Sequence, residues 1–206
     1  MRSLKNSNLY LILDTEVCSY ERLFEVACEA VHFGVDIIQL RDKKGNAKDT
    51  IRFSKRLLKR LRGIIPYIVN DRVDLALSVK ASGVHLGQED LPIAFARKFL
   101  GRKAIIGASC QTFRHLLDAQ KQGADYIGFG SVFKTLTKPA RNPMELGLLK
   151  KVFKKAEIPV FAIGGINEEN IFHLKKVGVT KVAVCRAICQ ARNIGKTTKI
   201  LKEALA

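Results

Sequence analysis

Two aspartates, Asp71 and Asp90, each stand just beyond a short apolar run, Tyr67-Ile68-Val69 and Gly83-Val84-His85-Leu86. Paired carboxylates, completed by water and phosphate oxygens, are a usual way to hold Mg²⁺, and Asn70 adds an amide beside the first. A third run, Asp36-Ile37-Ile38, leads into Gln39-Leu40-Arg41-Asp42-Lys43, where alternation puts Gln39, Arg41 and Lys43 on one face if the strand persists that far. Two cations and an amide suit a polyanion attached to a hydrogen-bonding ring. Ser109, after Gly107, offers a hydroxyl and neighbouring backbone donors, a modest anion site without the acid–base partner a hydrolase nucleophile needs. The glycine-flanked loop from Gly128 to Lys138 carries Thr135, Thr137, Lys134 and Lys138. It reads as a phosphate cradle, although the GKS/T arrangement of a P-loop is missing. Gly164-Gly165 follows a later run, and Cys185-Arg186 opens a helix. An arginine in a first helical turn opposes the helix dipole, a cost that a bound anion would offset.

Each feature also has a plainer reading. Gln39–Lys43 suits a solvated strand end with an Arg–Asp pair. Asp71 suits the cap of a helix beginning at Arg72, and Asp90 the cap of one beginning at Leu91-Pro92. Arg186 suits a side chain reaching solvent. Taken singly, capping wins for the aspartates; with Arg41, Lys43 and Lys138 nearby, metal–diphosphate binding gains ground, and one residue can do both jobs. His32, His85, His115 and His173 share no metal-ligand spacing. His85, inside a strand-like run, reads as a satisfied barrel histidine.

The elements that must position these residues are strand-like runs centred on Leu9–Leu13, Ile37–Leu40, Pro66–Val69, Gly83–Leu86, Ala104–Ile106, Tyr126–Gly128, Pro159–Ile163 and Lys181–Val184. Segments of helical period separate them. In 21–33, Leu23, Val26, Ala27, Ala30 and Val31 recur at three- and four-residue spacing, as do Ile51, Leu58 and Leu61 in a second helix. Gly34, Gly101, Gly123 and Gly178 fall at helix ends, where glycine best takes a left-handed turn. The count is about eight βα units, the number that closes an α/β barrel of parallel strands. The polar residues then collect on one rim, where such barrels build their sites. A doubly wound open sheet is the other arrangement with this alternation. No Pro/Ser-rich linker divides residues 1–206, so a single (β/α)₈ domain is expected.

The 206 residues are 47% hydrophobic, without an apolar stretch approaching a membrane span. Five scattered cysteines fit neither a disulfide framework nor a zinc site, and Leu9–Leu13 is too brief for a secretory apolar region, so the cytoplasm is the expected location. The net charge of +17 accommodates either nucleic acid or an anionic small molecule. Much of it lies on helices, at Arg52, Lys55, Arg56, Lys59 and Arg60 for example, which reads as a solvated outer face. No basic stretch interleaved with aromatics supports nucleic acid.

Five strings occur in order: QLRDK at Gln39–Lys43, NDRVDLAL at Asn70–Leu77, GVHLGQEDLP at Gly83–Pro92, GADYIGFGSVFKTLTK at Gly123–Lys138 and AIGGI at Ala162–Ile166. With these the chain closely resembles the thiamine-phosphate synthase (thiamine-phosphate pyrophosphorylase) family along nearly its whole length. The resemblance implies a (β/α)₈ barrel transferase that joins hydroxymethylpyrimidine diphosphate to a thiazole phosphate, releasing diphosphate with Mg²⁺. By position, Gln39, Leu40, Arg41, Asp42, Lys43, Asn70, Ser109 and Lys138 match residues that hold the pyrimidine diphosphate. Asp71 and Asp90 match the Mg²⁺ carboxylates. Thr135, Leu136, Thr137, Gly165, Cys185 and Arg186 match the thiazole-phosphate site. Arg41, Lys43, Ser109 and Lys138 are the residues expected to carry turnover.

Several positions depart from the family pattern. Gln111 stands where a histidine is common, Ser131 and Lys134 replace prolines, and Arg186 replaces a serine. Partners implied are small molecules, without membrane and without a role for nucleic acid; self-association is left open. Two other readings exist. The related thiazole tautomerases use a loop histidine for proton transfer, but the matching position here is Ser131. A catalytically silent phosphate- or nucleic-acid-binding barrel would exploit the charge.

Overall fold

In a computed structural model that describes residues 4–137 and 142–205, eight parallel strands close on themselves in sequence order. They are β1 Leu9–Asp14, β2 Ile37–Arg41, β3 Tyr67–Asn70, β4 Gly83–Leu86, β5 Ile105–Cys110, β6 Tyr126–Phe129, β7 Val160–Ile163 and β8 Val182–Val184. Closure is made by β1 against β8, with Leu9 opposite Val182. Helices follow the strands in turn: α1 Tyr20–His32, α2 Ala47–Leu61, α3 Val73–Ser78, α4 Ile93–Leu100, α5 Phe113–Lys121, α6 Leu146–Lys155, α7 Ile171–Lys176, then α8 Arg186–Cys189 and α9 Ile194–Ala204 after β8. The expected (β/α)₈ barrel is the architecture.

Period-two alternation divides each strand between two cores. Along β1, Leu9, Leu11 and Leu13 face the helices and pack with Leu23, Val26, Ala27 and Ala30 of α1. Tyr10 and Ile12 face inward, where they meet Ile37, Ile68, Ile105, Tyr126 and Phe161 from the other strands. Both faces are covered, so the strand reads as an unbroken apolar run. Each fully buried Leu or Ile adds roughly 1.5–3 kcal/mol of transfer free energy. The helices begin at polar caps: Ser19, Asn46, Thr112 and Asn193 each accept a backbone N–H from three residues on. Gly34, Gly101, Gly123 and Gly178 all have positive φ, as their expected place at helix ends requires.

The structure adjusts three local expectations. β5 runs on through Gly107 and Ser109 to Cys110, because this segment pairs with β4 on one side and β6 on the other. Its backbone is therefore committed to the sheet, leaving the Ser109 hydroxyl as the group offered for binding. In α2 the buried stripe is Phe53, Leu57 and Leu61, with Ile51 and Leu58 flanking it rather than central. The capping reading of the aspartates does not hold: α3 starts from Arg72 and α4 from Pro92, neither with a side-chain cap.

Candidate active site

The ends of the strands at which the chain turns into helices surround one cavity of about 660 Å³, within the range of small-molecule sites. Four inward residues of β1 and β2, Tyr10, Ile12, Gln39 and Arg41, set its first wall. Alternation from Tyr10 and Ile12 brings Asp14 inward at the strand end, level with Arg41 of β2. The Arg41 guanidinium donates to Asp14 at 2.8 Å and to Glu16 at 2.9 Å. The Asp14 side chain is 1% exposed and that of Arg41 13%, so the cation is fixed in a largely desolvated fork.

β3 and β4 bring the two aspartates together. Asp71 adopts a left-handed φ of 59°, a conformation aspartate tolerates better than most side chains, and its N–H donates to the His85 carbonyl at 2.8 Å. Its carboxyl is in hydrogen-bond contact with Asp90 and paired with Lys43. Burial, then the neighbouring Asp90, pushes the Asp71 carboxyl above its usual range, against the opposing pull of Lys43. Asp90 accepts from the Gly87 N–H at 2.6 Å, which holds the tight turn after β4. Two carboxylates in contact, one of them half-buried, are a donor set that fits a hard divalent cation.

The opposite wall comes from β6, β7 and β8. The Val132 and Phe133 N–H groups donate to the carbonyls of Ile163 and Gly164 at 2.9 and 3.0 Å, docking the glycine loop onto the end of β7. A Cβ on Gly164 would lie 2.1 Å from the Ser131 hydroxyl, and one on Gly165 2.4 Å from the Lys134 carbonyl. The glycine pair therefore exists to let this loop lie against it. Thr135, Leu136, Thr137 and Gly165 line the cavity here, as do Cys185 and Arg186. A hydrogen-bond contact with Cys189, together with burial, raises the Cys185 thiol well above its usual range, so it stays protonated. Arg186 opens α8, and its Nε is buried with no partner among the described residues. Lys138 lies outside the described residues.

Of the residues singled out from sequence, Gln39, Arg41, Lys43, Asn70, Asp71, Asp90 and Ser109 converge on the cavity, with Gln111 beside them. Leu40 and Asp42 do not line it. Leu40 is 1% exposed and belongs to the sheet–helix core, as alternation requires between Gln39 and Arg41. Asp42 is a structural hub: its carboxylate accepts from Thr15 at 2.8 Å, Thr50 at 2.7 Å, the Gly45 N–H at 2.8 Å and the Tyr20 hydroxyl. Burial works against its charge, but these donors outweigh it and hold the carboxyl below its usual range.

Tyr10 and Tyr126 line the cavity without having been singled out from sequence, His85 lines it as the satisfied barrel histidine expected, and Asp14 stands behind Arg41 rather than in the lining. Tyr10 and Asp14 share the inward register of β1, a signal that was present in the LYLILD alternation. Tyr126 opens the β6 run and is 0% exposed. Its hydroxyl, which meets Tyr10 at 2.8 Å and His85 Nδ1 at 3.0 Å, has no local sequence signature.

The thiamine monophosphate synthase family profile matches residues 9–188. A thiamine-phosphate synthase of Ruminiclostridium cellulolyticum is 38% identical over 206 residues, covering 98% of this chain and 97% of that protein. One of Fusobacterium nucleatum is 40% identical over 205 residues, covering 97% and 98%. Among solved structures, a thiamine phosphate pyrophosphorylase from Pyrococcus furiosus superposes with a TM-score of 0.89 at 38% identity, covering 98% of each chain.

Proposed function

The chain belongs to the thiamine monophosphate synthase family and carries its transferase activity, and we propose that the cavity joins hydroxymethylpyrimidine diphosphate to a thiazole phosphate by a dissociative substitution. The observation that carries this reading is the division of one cavity. Arg41, Lys43, Asp71 and Asp90 stand on the β2–β4 side, and the glycine loop, Gly165 and Arg186 on the β6–β8 side. Two anionic substrates can then lie with their reacting ends facing each other.

As the carbon–oxygen bond to diphosphate breaks, negative charge grows on the leaving group and the electron-rich aminopyrimidine ring delocalises the positive charge left behind. Groups that meet charge where it develops supply the largest share of such catalysis. Arg41, held by Asp14 and Glu16, needs no reorganisation to do this. Lys43, paired with Asp71 on the same side of the cavity, would turn its ammonium to the diphosphate, and the family pattern gives Lys138 the same task. Asp71 and Asp90 are the residues that would hold Mg²⁺, whose chemistry is to offset charge on the diphosphate oxygens. The thiazole nitrogen is already a nucleophile, so no side-chain base is needed. The protein's task at that end is to hold the ring at attacking distance and keep water out, using Thr135, Thr137, Gly165 and Arg186 around the phosphate. The tautomerase alternative has no support at Ser131: its hydroxyl donates to the Phe133 carbonyl at 2.8 Å as a loop staple. No helix among the described residues is long and apolar enough to cross a membrane; the five free cysteines suit a reducing compartment, and on that ground we assign the enzyme to the cytoplasm.

The test is diphosphate release by the purified protein, with each substrate and Mg²⁺ omitted in turn. Release that needs both substrates and the metal, with thiamine phosphate formed, is expected. Diphosphate released at full rate without the thiazole phosphate or without the metal would overturn the proposal.

A further inference from the structure

A chain of polar groups crosses the barrel interior beneath the cavity. Gln39 Nε2 donates to the Tyr10 hydroxyl at 2.8 Å, and that hydroxyl lies 2.8 Å from the hydroxyl of Tyr126. Tyr126 meets His85 Nδ1 at 3.0 Å, and His85 Nε2 meets Ser109 Oγ at 2.9 Å. Tyr10, Gln39, His85 and Tyr126 are at most 6% exposed, so water does not compete for these bonds. The rings lock it in place. Tyr10 and Tyr126 pack edge-on against Phe161 at 5.3 and 5.7 Å, and His85 lies 5.5 Å from Tyr126.

The direction of the chain follows from its first member. The Gln39 amide nitrogen can only donate, and the Tyr10 hydroxyl receives that bond. Tyr10 therefore accepts from Gln39 and passes its own proton to Tyr126. The Tyr126 oxygen, now accepting from Tyr10, has its own proton to place, and His85 Nδ1 is the acceptor within reach. A histidine accepting at Nδ1 carries its proton on Nε2, and donates it to Ser109 Oγ. The Ser109 proton is then left at the far end of the chain, and Ser109 lines the cavity.

We propose that Gln39, Tyr10, Tyr126 and His85 form a one-way hydrogen-bond relay that makes Ser109 a committed hydrogen-bond donor to an acceptor atom of the pyrimidine diphosphate. Tyr126 and His85 are positioning residues in this scheme, acting through Ser109. The substrate assignment rests on the synthase reading above; the direction of the relay does not. Reversing any link would turn Ser109 into a donor to His85 and leave its oxygen lone pairs facing an anionic ligand, so one direction alone favours binding.

The experiment has two arms. In resting protein labelled with ¹⁵N-histidine, the His85 resonances, identified by their loss in His85→Gln, are expected to report protonated Nε2 and bare Nδ1. The opposite tautomer overturns the relay whether or not the protein turns over. In diphosphate-release kinetics, Tyr126→Phe is expected to lower kcat by roughly 5- to 10-fold, the loss of one hydrogen bond that orients a donor. In a Ser109→Ala background the same change is expected to cost less than about 2-fold, because the group it acts through is gone. Full additivity of the two substitutions would overturn the positioning role. Absence of turnover by the unmodified protein would strike the synthase reading alone, with the tautomer still deciding the relay.

Discussion

Gly107 of β5 is the position where the smallest chemical change should do the most damage. A Cβ built there would lie 2.1 Å from Cζ of Tyr126 and 2.4 Å from its hydroxyl oxygen, where ordinary contact begins near 3.4 Å. In Gly107→Ala the phenol must therefore retreat by roughly 1.3 Å, against a ring cluster that is already close-packed. Overpacking of this kind costs about 1–3 kcal/mol, and a displaced hydroxyl loses its bonds to Tyr10 and His85, adding about 1–3 kcal/mol for buried polar groups left unpaired. The expected destabilisation is about 2–6 kcal/mol, a fall in Tm of roughly 4–24 °C for a chain of this length. Urea unfolding followed by circular dichroism, with the slope checked for constancy, measures it directly. Gly147→Ala in α6 is the control, since a Cβ there meets nothing within 4 Å, and it should gain up to about 0.5 kcal/mol from helix propensity. A Gly107→Ala variant within about 0.5 kcal/mol of the parent would refute the packing argument.

Asp90→Ala, and likewise Lys138→Ala, should lower turnover by about 10²-fold or more even at saturating Mg²⁺, as losing one transition-state stabiliser does; near-normal diphosphate release would remove that residue from the mechanism. Arg186→Ser takes one cation from the phosphate end of the cavity and should raise KM for the thiazole phosphate about 3- to 10-fold with kcat little changed, because the phosphate is bound equally before and during reaction. Asp36 is buried, which works against its charge, yet Lys202 and the N–H groups of Leu9 and Asn8 outweigh this and hold its carboxyl below the ordinary 3.8. A carboxyl depressed on folding contributes stability that is complete above 3.8 and disappears as pH falls through the folded-state value. The urea midpoint should therefore drop below pH 4, and Lys202→Met should lower the midpoint at pH 7 while flattening that acid dependence; an unchanged slope would exclude the pair as its source.

Much of this molecule was legible in its sequence because alternation and capping are local. The eight runs, the helix-ending glycines and the polar residues at strand ends each announce themselves within a few positions. What escaped depends on closure. Leu40 and Asp42 sit inside a motif whose alternate members reach the cavity, so the string as a whole is informative while two of its letters serve the fold. The length of β5 follows from the strands on either side of it rather than from Gly107-Ala108-Ser109 itself. Tyr10 and Tyr126 are separated by 116 residues in the chain and meet only because the sheet curls. The pairing of Arg41 with Asp14 and Glu16 is equally invisible until β1 and β2 lie side by side.

Closure also sets a timetable for the fold. β1 has two neighbours, β2 and β8, and the second is nearly the whole chain away. The Asp36 carboxylate at the entrance to β2 binds Lys202 of α9, and Lys181 at the entrance to β8 reaches back to the carbonyls of Lys5 and Ser7. During synthesis at about 5–20 residues per second, β1 is therefore made first and completed last, waiting many seconds with one edge unpaired. An unpaired apolar edge is what neighbouring chains or chaperones recognise. The cavity rim, to which β8 and the start of α8 contribute Ala183 to Ala187, is thus complete only once β8 has left the ribosome.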